Sequence, residues 1–296
     1  MNRFTTVEGV PVSELLKLVA RASELRDVLE DGDEVDPVLT GATVANLFFE
    51  PSTRTRLSFD LAERRLGAYV LTYDEMTSSA AKGESLRDTA LTVSSIGADV
   101  LVVRHKEVGM PDRVADWTGR FVVNAGDGTG QHPTQTLLDV VTIQRHFGHL
   151  DGLHMALIGD IAHSRVANGL MHALPELGVK LSLVGPSGWM PADTSLSTFD
   201  TLDEVITDVD IAYLLRVQTE RGGVITEEFV ADFRLDDRRA SRMAPHAVVM
   251  HPGPINRGVE ISEGVADGSR SLILEQVANG VPSRMAVLEL TRGPGQ

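Results

Sequence analysis

Phe48-Phe49-Glu50-Pro51-Ser52-Thr53-Arg54-Thr55-Arg56 (FFEPSTRTR) ends an apolar run with a proline and follows it with hydroxyls and two guanidiniums. The preceding residues, Val44–Phe49 (VANLFF), are short and continuously apolar, the pattern of a strand buried on both faces. Pro51 ends that strand, and Ser52 or Thr53 can cap a helix. Its apolar positions Leu57, Leu61 and Leu66 follow at helical spacing and stop at Gly67. A strand running into a helix N-terminus leaves several backbone N–H groups pointing one way. Hydroxyls and arginines added there make a site suited to an anion such as phosphate.

Working outward, short β-branched runs alternate with longer amphipathic segments. Strands are expected at Ala68–Tyr73, Ala98–Val103 and Phe121–Asn124, with helices over Glu84–Ile96 and near Asp112–Trp117. The loop Ala125-Gly126-Asp127-Gly128-Thr129-Gly130 opens a long helix at Pro133, a favoured first-turn position, which ends near Gly148. Asp151-Gly152 marks a turn, after which strands are expected at Met155–Ile158, Lys180–Val184, Asp210–Leu215 and Ala247–Met250. Gly185–Leu196 reads as the most loop-like stretch of this half, and two helices, Ser271–Ala278 and Pro282–Leu290, close the chain. Such alternation implies an α/β protein with doubly wound parallel sheets.

The 296 residues exceed one typical core, so two domains are the natural expectation. With 42 acidic against 27 basic residues the net charge is −15, which argues against a nucleic-acid partner and forces any anion site to gather its cations locally. There is no cysteine, which excludes disulfides, thiolate metal sites and a cysteine nucleophile. No run approaches a membrane span and the N-terminus has no signal-peptide core, so a cytoplasmic enzyme is expected.

Polar residues gather just past the strands. Ser52–Arg56, Arg104-His105, His132 with Gln135, Arg165, Arg216 with Gln218, and His251 each follow a strand or its loop. In parallel sheets the crevice beyond the strands' carboxyl ends is where ligands bind. Ser52, Thr53, Arg54, Thr55 and Arg104 read as a phosphate cradle, because arginine offers bidentate, permanently charged contacts. Arg165 and Arg216 suggest capture of carboxylates, and Lys82 could complete either anion site. His132 could be no more than a helix-start residue bonded to local backbone; with Gln135 one turn on, it could instead polarise a carbonyl.

Other chemistries fit poorly. The glycine-rich loop lacks the G-x-G-x-x-G spacing, and neither a G-x-x-x-x-G-K-[ST] loop nor a G-x-S-x-G elbow occurs. His146 and His149 form an H-x-x-H without a carboxylate pattern, so no metal is expected.

Taken together these segments resemble the aspartate/ornithine carbamoyltransferases, and within them the aspartate branch. The likeness runs through FFEPSTRTR, KGES (Lys82–Ser85), VVRH (Val102–His105), NAGDGTGQHPTQTLLD (Asn124–Asp139), GDIAHSRVA (Gly159–Ala167), LRVQ (Leu215–Gln218) and HPGPINRGVEI (His251–Ile261). It implies two doubly wound parallel-sheet domains with the active site in the cleft between them. A carbamoyl phosphate-binding domain would span residues 1–133 plus a C-terminal helix 281–296, and an aspartate-binding domain residues 134–280. The implied reaction moves the carbamoyl group from carbamoyl phosphate to the amine of L-aspartate, in pyrimidine biosynthesis, without cofactor or metal.

Carried over by resemblance, Ser52, Thr53, Arg54, Thr55, Arg104, His132, Gln135, Gly253 and Pro254 bind carbamoyl phosphate. Arg54, Thr55, Arg104 and His132 act in catalysis, and Lys82, Arg165, Arg216 and Gln218 hold aspartate. Ser78 and Lys82 would come from the neighbouring subunit of a homotrimer with shared sites. HPGP at 251–254 in a chain without cysteine differs from the HCLP-like motif of ornithine enzymes. Gly130 stands where relatives often carry a bulkier polar residue, and Thr219–Asp232 is shorter than in many of them. A carbamoyltransferase for another amino acid and a non-catalytic scaffold paralogue are the rival readings. Regulatory chains or other pyrimidine enzymes stay open as partners.

Overall fold

The computed structural model describes residues 3–74, 84–217 and 225–291, and the chain divides into two compact units. Unit 1 comprises residues 1–141 and 277–296, and unit 2 residues 142–276. Both divisions fall inside helices, where the expectation from resemblance placed them at 133/134 and 280/281.

Unit 1 is built on a five-stranded parallel sheet. Its strands are β1 (Arg3–Phe4), β2 (Thr43–Phe48), β3 (Tyr69–Asp74), β4 (Val100–His105) and β5 (Phe121–Asp127). They lie in the order β1-β5-β4-β2-β3. Between them run α1 (Val12–Glu30), α2 (Thr53–Arg65), α3 (Leu86–Ile96) and α4 (Met110–Thr118), with α5 (Pro133–Phe147) following β5. Apolar side chains from β2, β4 and β5 (Ala45, Leu47, Leu101, Val103, Val122) pack with Ala90, Val114 and Ala115 of α3 and α4. On the opposite face Val44, Val102 and Val123 are buried as well, so both faces of the sheet are covered, as a parallel sheet requires.

The chain leaves β2 for β3 on one side, then crosses β2 to form β4 on the other. The connections after β2 and after β4 therefore diverge. This is the topological switch point, where such sheets open a ligand crevice. The expected strand ends bearing Ser52–Thr55 and Arg104 are the two that flank it.

Unit 2 repeats the device. β6 (His154–Ile158), β7 (Lys180–Val184), β8 (Ser197–Phe199), β9 (Ile211–Leu214) and β10 (Val248–Met250) form a second parallel sheet in the order β10-β9-β6-β7-β8. Its switch point lies between β6 and β9, whose ends pair as Ile158↔Leu214. The helices are α6 (Arg165–Ala173), the short α7 (Glu227–Phe233), α8 (Asp237–Ala240) and α9 (Glu263–Ala266), while α10 (Ile273–Glu289) begins in unit 2 and lies mostly in unit 1.

Four details depart from the sequence expectations. The edge strands β1 and β8, two and three residues long, carry too little sequence to show a period. The helix α1 was not anticipated, although its buried Leu15, Leu18, Val19, Ala22 and Leu25 keep helical spacing. The two closing helices are one helix, with Pro282 inside α10. Burial of Gln276 and Asn279 before the proline and Met285–Leu288 after it holds the helix through a residue that lacks a backbone donor.

The fourth concerns α2. Leu57 and Leu61 are exposed, at 61% and 43%, and the face turned inward carries Thr55, Phe59, Ala62 and Glu63. The leucine spacing marks a real helix but not its buried face.

Candidate active site

In unit 1, Ser52 is the N-cap of α2, in extended conformation, and its hydroxyl makes no capping bond. The first amides of a helix have no intrahelical acceptor, so this turn presents N–H groups beside an uncommitted hydroxyl. Thr53 and Arg54 are exposed on the first turn, whereas Thr55 points inward. Arg104 lies at the carboxyl end of β4, one residue before its last, and the register Phe48↔Arg104 sets the two segments side by side. Its Nη1 donates to Ala125 O at 2.9 Å, and its Nε lies 3.7 Å from Glu50 Oε2. Glu50 thus sets a carboxylate beside the Arg104 guanidinium. Next to it, burial pushes the His105 imidazole below its ordinary pKa, and its Nδ1 accepts from Glu107 N at 3.0 Å.

His132, buried, precedes α5 and brings Nε2 to 3.5 Å from Thr55 Oγ1. That separation is adjacency rather than a strong hydrogen bond. On the other side of the ring, Nδ1 is 3.4 Å from Thr134 Oγ1. Gln135, one turn along, donates from Nε2 to Asp139 Oδ1 at 3.1 Å, so the carboxylate fixes which end of the amide is the donor. Asp139 also favours the charge on Arg284, a fully buried guanidinium whose pKa is pushed down to about 9 by burial. Arg284 lies over the Phe59 ring of α2 at 5.0 Å, and its Nη1 donates to Gly280 O of α10 at 2.8 Å, so α10 and α2 meet at a buried guanidinium.

The loop between β5 and α5 is ordered by a carboxylate that the sequence reading passed over. Asp127 Oδ1 accepts from Gln131 N at 2.8 Å and from Asn124 Nδ2 at 3.0 Å, while Oδ2 accepts from Gly109 N at 2.7 Å. A Cβ at Gly130 would stand 2.7 Å from Asp127 Oδ1. The unusual glycine is therefore explained: the aspartate folds back over the position where a larger residue would project. An acidic residue inside a glycine-rich loop was the available signal, as was the Gln135/Asp139 pair at i, i+4 on a helix.

In unit 2, Arg165 opens α6 after the Ser164 cap, whose side chain accepts from Ala167 N. Arg216 follows β9, and both arginines are half-buried beyond the adjacent strands at the switch point. Gly159, at φ +118°, makes this convergence possible: a Cβ there would come within 2.8 Å of Leu215 O, just before Arg216.

Beyond β10, Gly253 N donates to His251 Nδ1 at 2.8 Å, which leaves Nε2 to donate to the buried Glu260 at 3.1 Å. Glu260 Oε1 also accepts from Asn256 N at 2.6 Å, so one carboxylate ties both ends of the turn carrying Gly253 and the cis Pro254. The structure thus groups Ser52–Thr55, Arg104, His132 and Gln135 in unit 1, and Arg165, Arg216, Gly253 and Pro254 in unit 2. Ser78, Lys82 and Gln218 lie outside the described residues. His146 packs edge-on to Phe147 and His149 Nδ1 bonds Asp151 O, so the H-x-x-H is spent locally. Among the described residues no helix is long and apolar enough to cross a membrane.

Two family models match the chain. The carbamoyl-P binding domain of aspartate/ornithine carbamoyltransferase matches residues 2–145, and the Asp/Orn binding domain of the same family matches residues 151–291. The aspartate carbamoyltransferase catalytic subunit of Salinispora tropica is 48% identical over 290 residues, 94% of each chain. That of Thermobifida fusca is 46% identical, covering 99% of this chain and 96% of its own. Among solved structures, aspartate transcarbamoylase from Trypanosoma cruzi in complex with N-(phosphonacetyl)-L-aspartic acid superposes with a TM-score of 0.90 at 32% identity. That match covers 97% of this chain and 94% of the other. The catalytic subunit of M. jannaschii aspartate transcarbamoylase gives 0.89 at 32% identity, with both chains fully covered.

Proposed function

This chain belongs to the aspartate/ornithine carbamoyltransferase family, and we propose that it transfers the carbamoyl group of carbamoyl phosphate to the amine of L-aspartate, giving N-carbamoyl-L-aspartate and phosphate. The observation that carries this reading is the α2 N-terminus, with Ser52–Thr55 beside Arg104 at the switch point of the first sheet. Backbone amides, hydroxyls and guanidiniums together suit a phosphoryl group. Thr55, Arg104 and His132 face the carbonyl end, and the Gln135 carbonyl oxygen accepts from the carbamoyl NH2.

In unit 2, Arg165 and Arg216 take the carboxylates of aspartate, and the Gly253–Pro254 turn offers backbone to the carbamoyl group. Gln218 completes the aspartate contacts. The aspartate amine attacks the carbamoyl carbon, the oxyanion is stabilised by Thr55, Arg104 and His132, and the C–O bond to phosphate breaks. The departing phosphate takes the proton released by the amine. Much of the acceleration comes from orienting two anions that otherwise repel, an effect worth roughly 7–11 kcal/mol in well-ordered systems. The enzyme works early in pyrimidine synthesis, in the cytoplasm, as a homotrimer that shares its sites through Ser78 and Lys82.

The test is carbamoyl-aspartate formation from carbamoyl phosphate across a panel of acceptors, with native mass measured alongside. Turnover with aspartate and not with ornithine is expected. Efficient ornithine turnover would overturn the acceptor assignment, and no turnover with any amine would favour a non-catalytic scaffold.

A further inference from the structure

The inward face of α2 carries a carboxylic acid where a core residue is expected. Glu63 is 0% exposed, and Asn46, its partner on β2, is likewise 0% exposed. Asn46 sits in the sheet interior, paired with Val102 on one side and Thr72 on the other. Its Nδ2 donates to Glu63 Oε2 at 2.7 Å. The two remaining side-chain oxygens of the pair, Asn46 Oδ1 and Glu63 Oε1, are both shut from solvent and have no hydrogen-bond partner.

Two orphaned acceptors on one bonded pair have a common remedy. A proton on Glu63 Oε1 converts it into a donor and closes the second hydrogen bond to Asn46 Oδ1, as in an acid–amide ring. An ionised carboxylate would instead leave a charge in the core with one bond, an arrangement native proteins avoid.

We infer that Glu63 is a neutral carboxylic acid, paired doubly with the Asn46 amide, and that this clasp is a positioning residue pair for the α2 N-terminus and its anion cradle. The second half of this inference rests on the role proposed above for Ser52–Thr55. The Asn46–Glu63 link anchors α2 to the strand that delivers the cradle, ten residues from Thr53, the first residue of the helix. Besides Glu63, α2 carries Arg54, Arg56, Asp60, Arg64 and Arg65, the paired strands carry Tyr69 and Tyr73 on β3 and Arg104 and His105 on β4, and Arg284 of α10 lies over Phe59. Asp60 opposes ionisation of Glu63 and Arg64 favours it, but burial is the larger influence and pushes its pKa up to about 8.

The sign of the pH effect follows. Between the ordinary value of 4.5 and about 8 the folded chain holds a proton that the unfolded chain releases. Stability from this group is complete below the lower value, falls as pH rises through the window, and levels off above it. The folding constant loses about tenfold per pH unit there from this group alone.

Glu63→Gln preserves both hydrogen bonds as an amide–amide ring but cannot titrate. Denaturant unfolding of wild type and Glu63→Gln across pH 5–9 should therefore give curves that diverge by one proton. Parallel curves would show that Glu63 is ionised in the fold and overturn the clasp. The carbamoyl phosphate KM of the wild type should rise severalfold as pH passes 8, and that of the variant should rise less. Equal KM profiles would reduce the pair to a structural role and remove the positioning half.

A titration followed by carbon NMR of glutamate-labelled wild type needs no variant. One carboxyl should titrate near 8, and its absence overturns the proposal. Failure of the wild type to make any carbamoyl aspartate would count against the proposed function, while the unfolding and NMR results would still decide the proton.

Discussion

Thr55 Oγ1 stands 3.5 Å from His132 Nε2, although 77 residues separate them. The contact joins the first turn of α2 to the residue that precedes α5, and so places the turn proposed to bind phosphate beside the residue proposed to polarise the carbonyl. Neither side chain has that neighbour without the sheet order that sets β4 between β2 and β5.

Arg54 projects from the same turn into solvent, so removing it should leave the fold intact. Arg54→Ala is expected to lower kcat by about 10²–10³, the scale for one lost donor at a developing charge. Steady-state kinetics read beside thermal unfolding decide it, and near-normal turnover would remove Arg54 from the cradle.

Arg216 follows β9 at the second switch point and is assigned to a carboxylate of aspartate. Arg216→Ala should weaken aspartate by about 2–5 kcal/mol, because its partner charge is left without a counterion. The carbamoyl phosphate requirement should change far less. Equal weakening of both substrates would show that Arg216 serves elsewhere.

Asp139 holds the Gln135 amide and supports the buried charge of Arg284. Asp139→Ala leaves the buried Gln135 amide without its acceptor and removes a charge that favours the Arg284 guanidinium, which should cost about 1–3 kcal/mol of stability in denaturant unfolding. An Asp139→Leu/Arg284→Met double variant should recover part of the loss, since it removes both charges together. A double variant as unstable as the single one would mean that Asp139 acts through something other than the pair.

The proposed sharing of sites between subunits predicts complementation. Lys82→Ala and Arg54→Ala chains, each nearly inactive, should regain part of the activity when their trimers exchange subunits. Native mass spectrometry reports whether mixed trimers form. Mixed trimers without recovered activity would show that Lys82 serves its own chain.

Much of the candidate site could be proposed from the chain alone because its parts are local. FFEPSTRTR carries a strand end, a helix cap and its cations in nine consecutive residues, and their chemistry needs no distant partner. The alternation of β-branched and amphipathic segments likewise specified parallel, doubly wound sheets, and the motifs from Phe48 to Ile261 specified the family. The helix α1 went unanticipated although its buried positions keep a clean helical period.

Tertiary structure decided what depends on contacts between distant segments. Strand order puts β2 beside β4 and β6 beside β9, and so turns two sets of strand ends into two switch points. Strand composition carries no label for its neighbour, so that order emerges only when the sheet assembles. The face of α2 that turns inward is a second instance. Spacing favoured Leu57 and Leu61, but Phe59 finds the Arg284 guanidinium and Glu63 finds Asn46, and these partners lie on other elements. A helix can bury a polar side chain only where a complementary group waits, and the sequence of the helix does not contain that group.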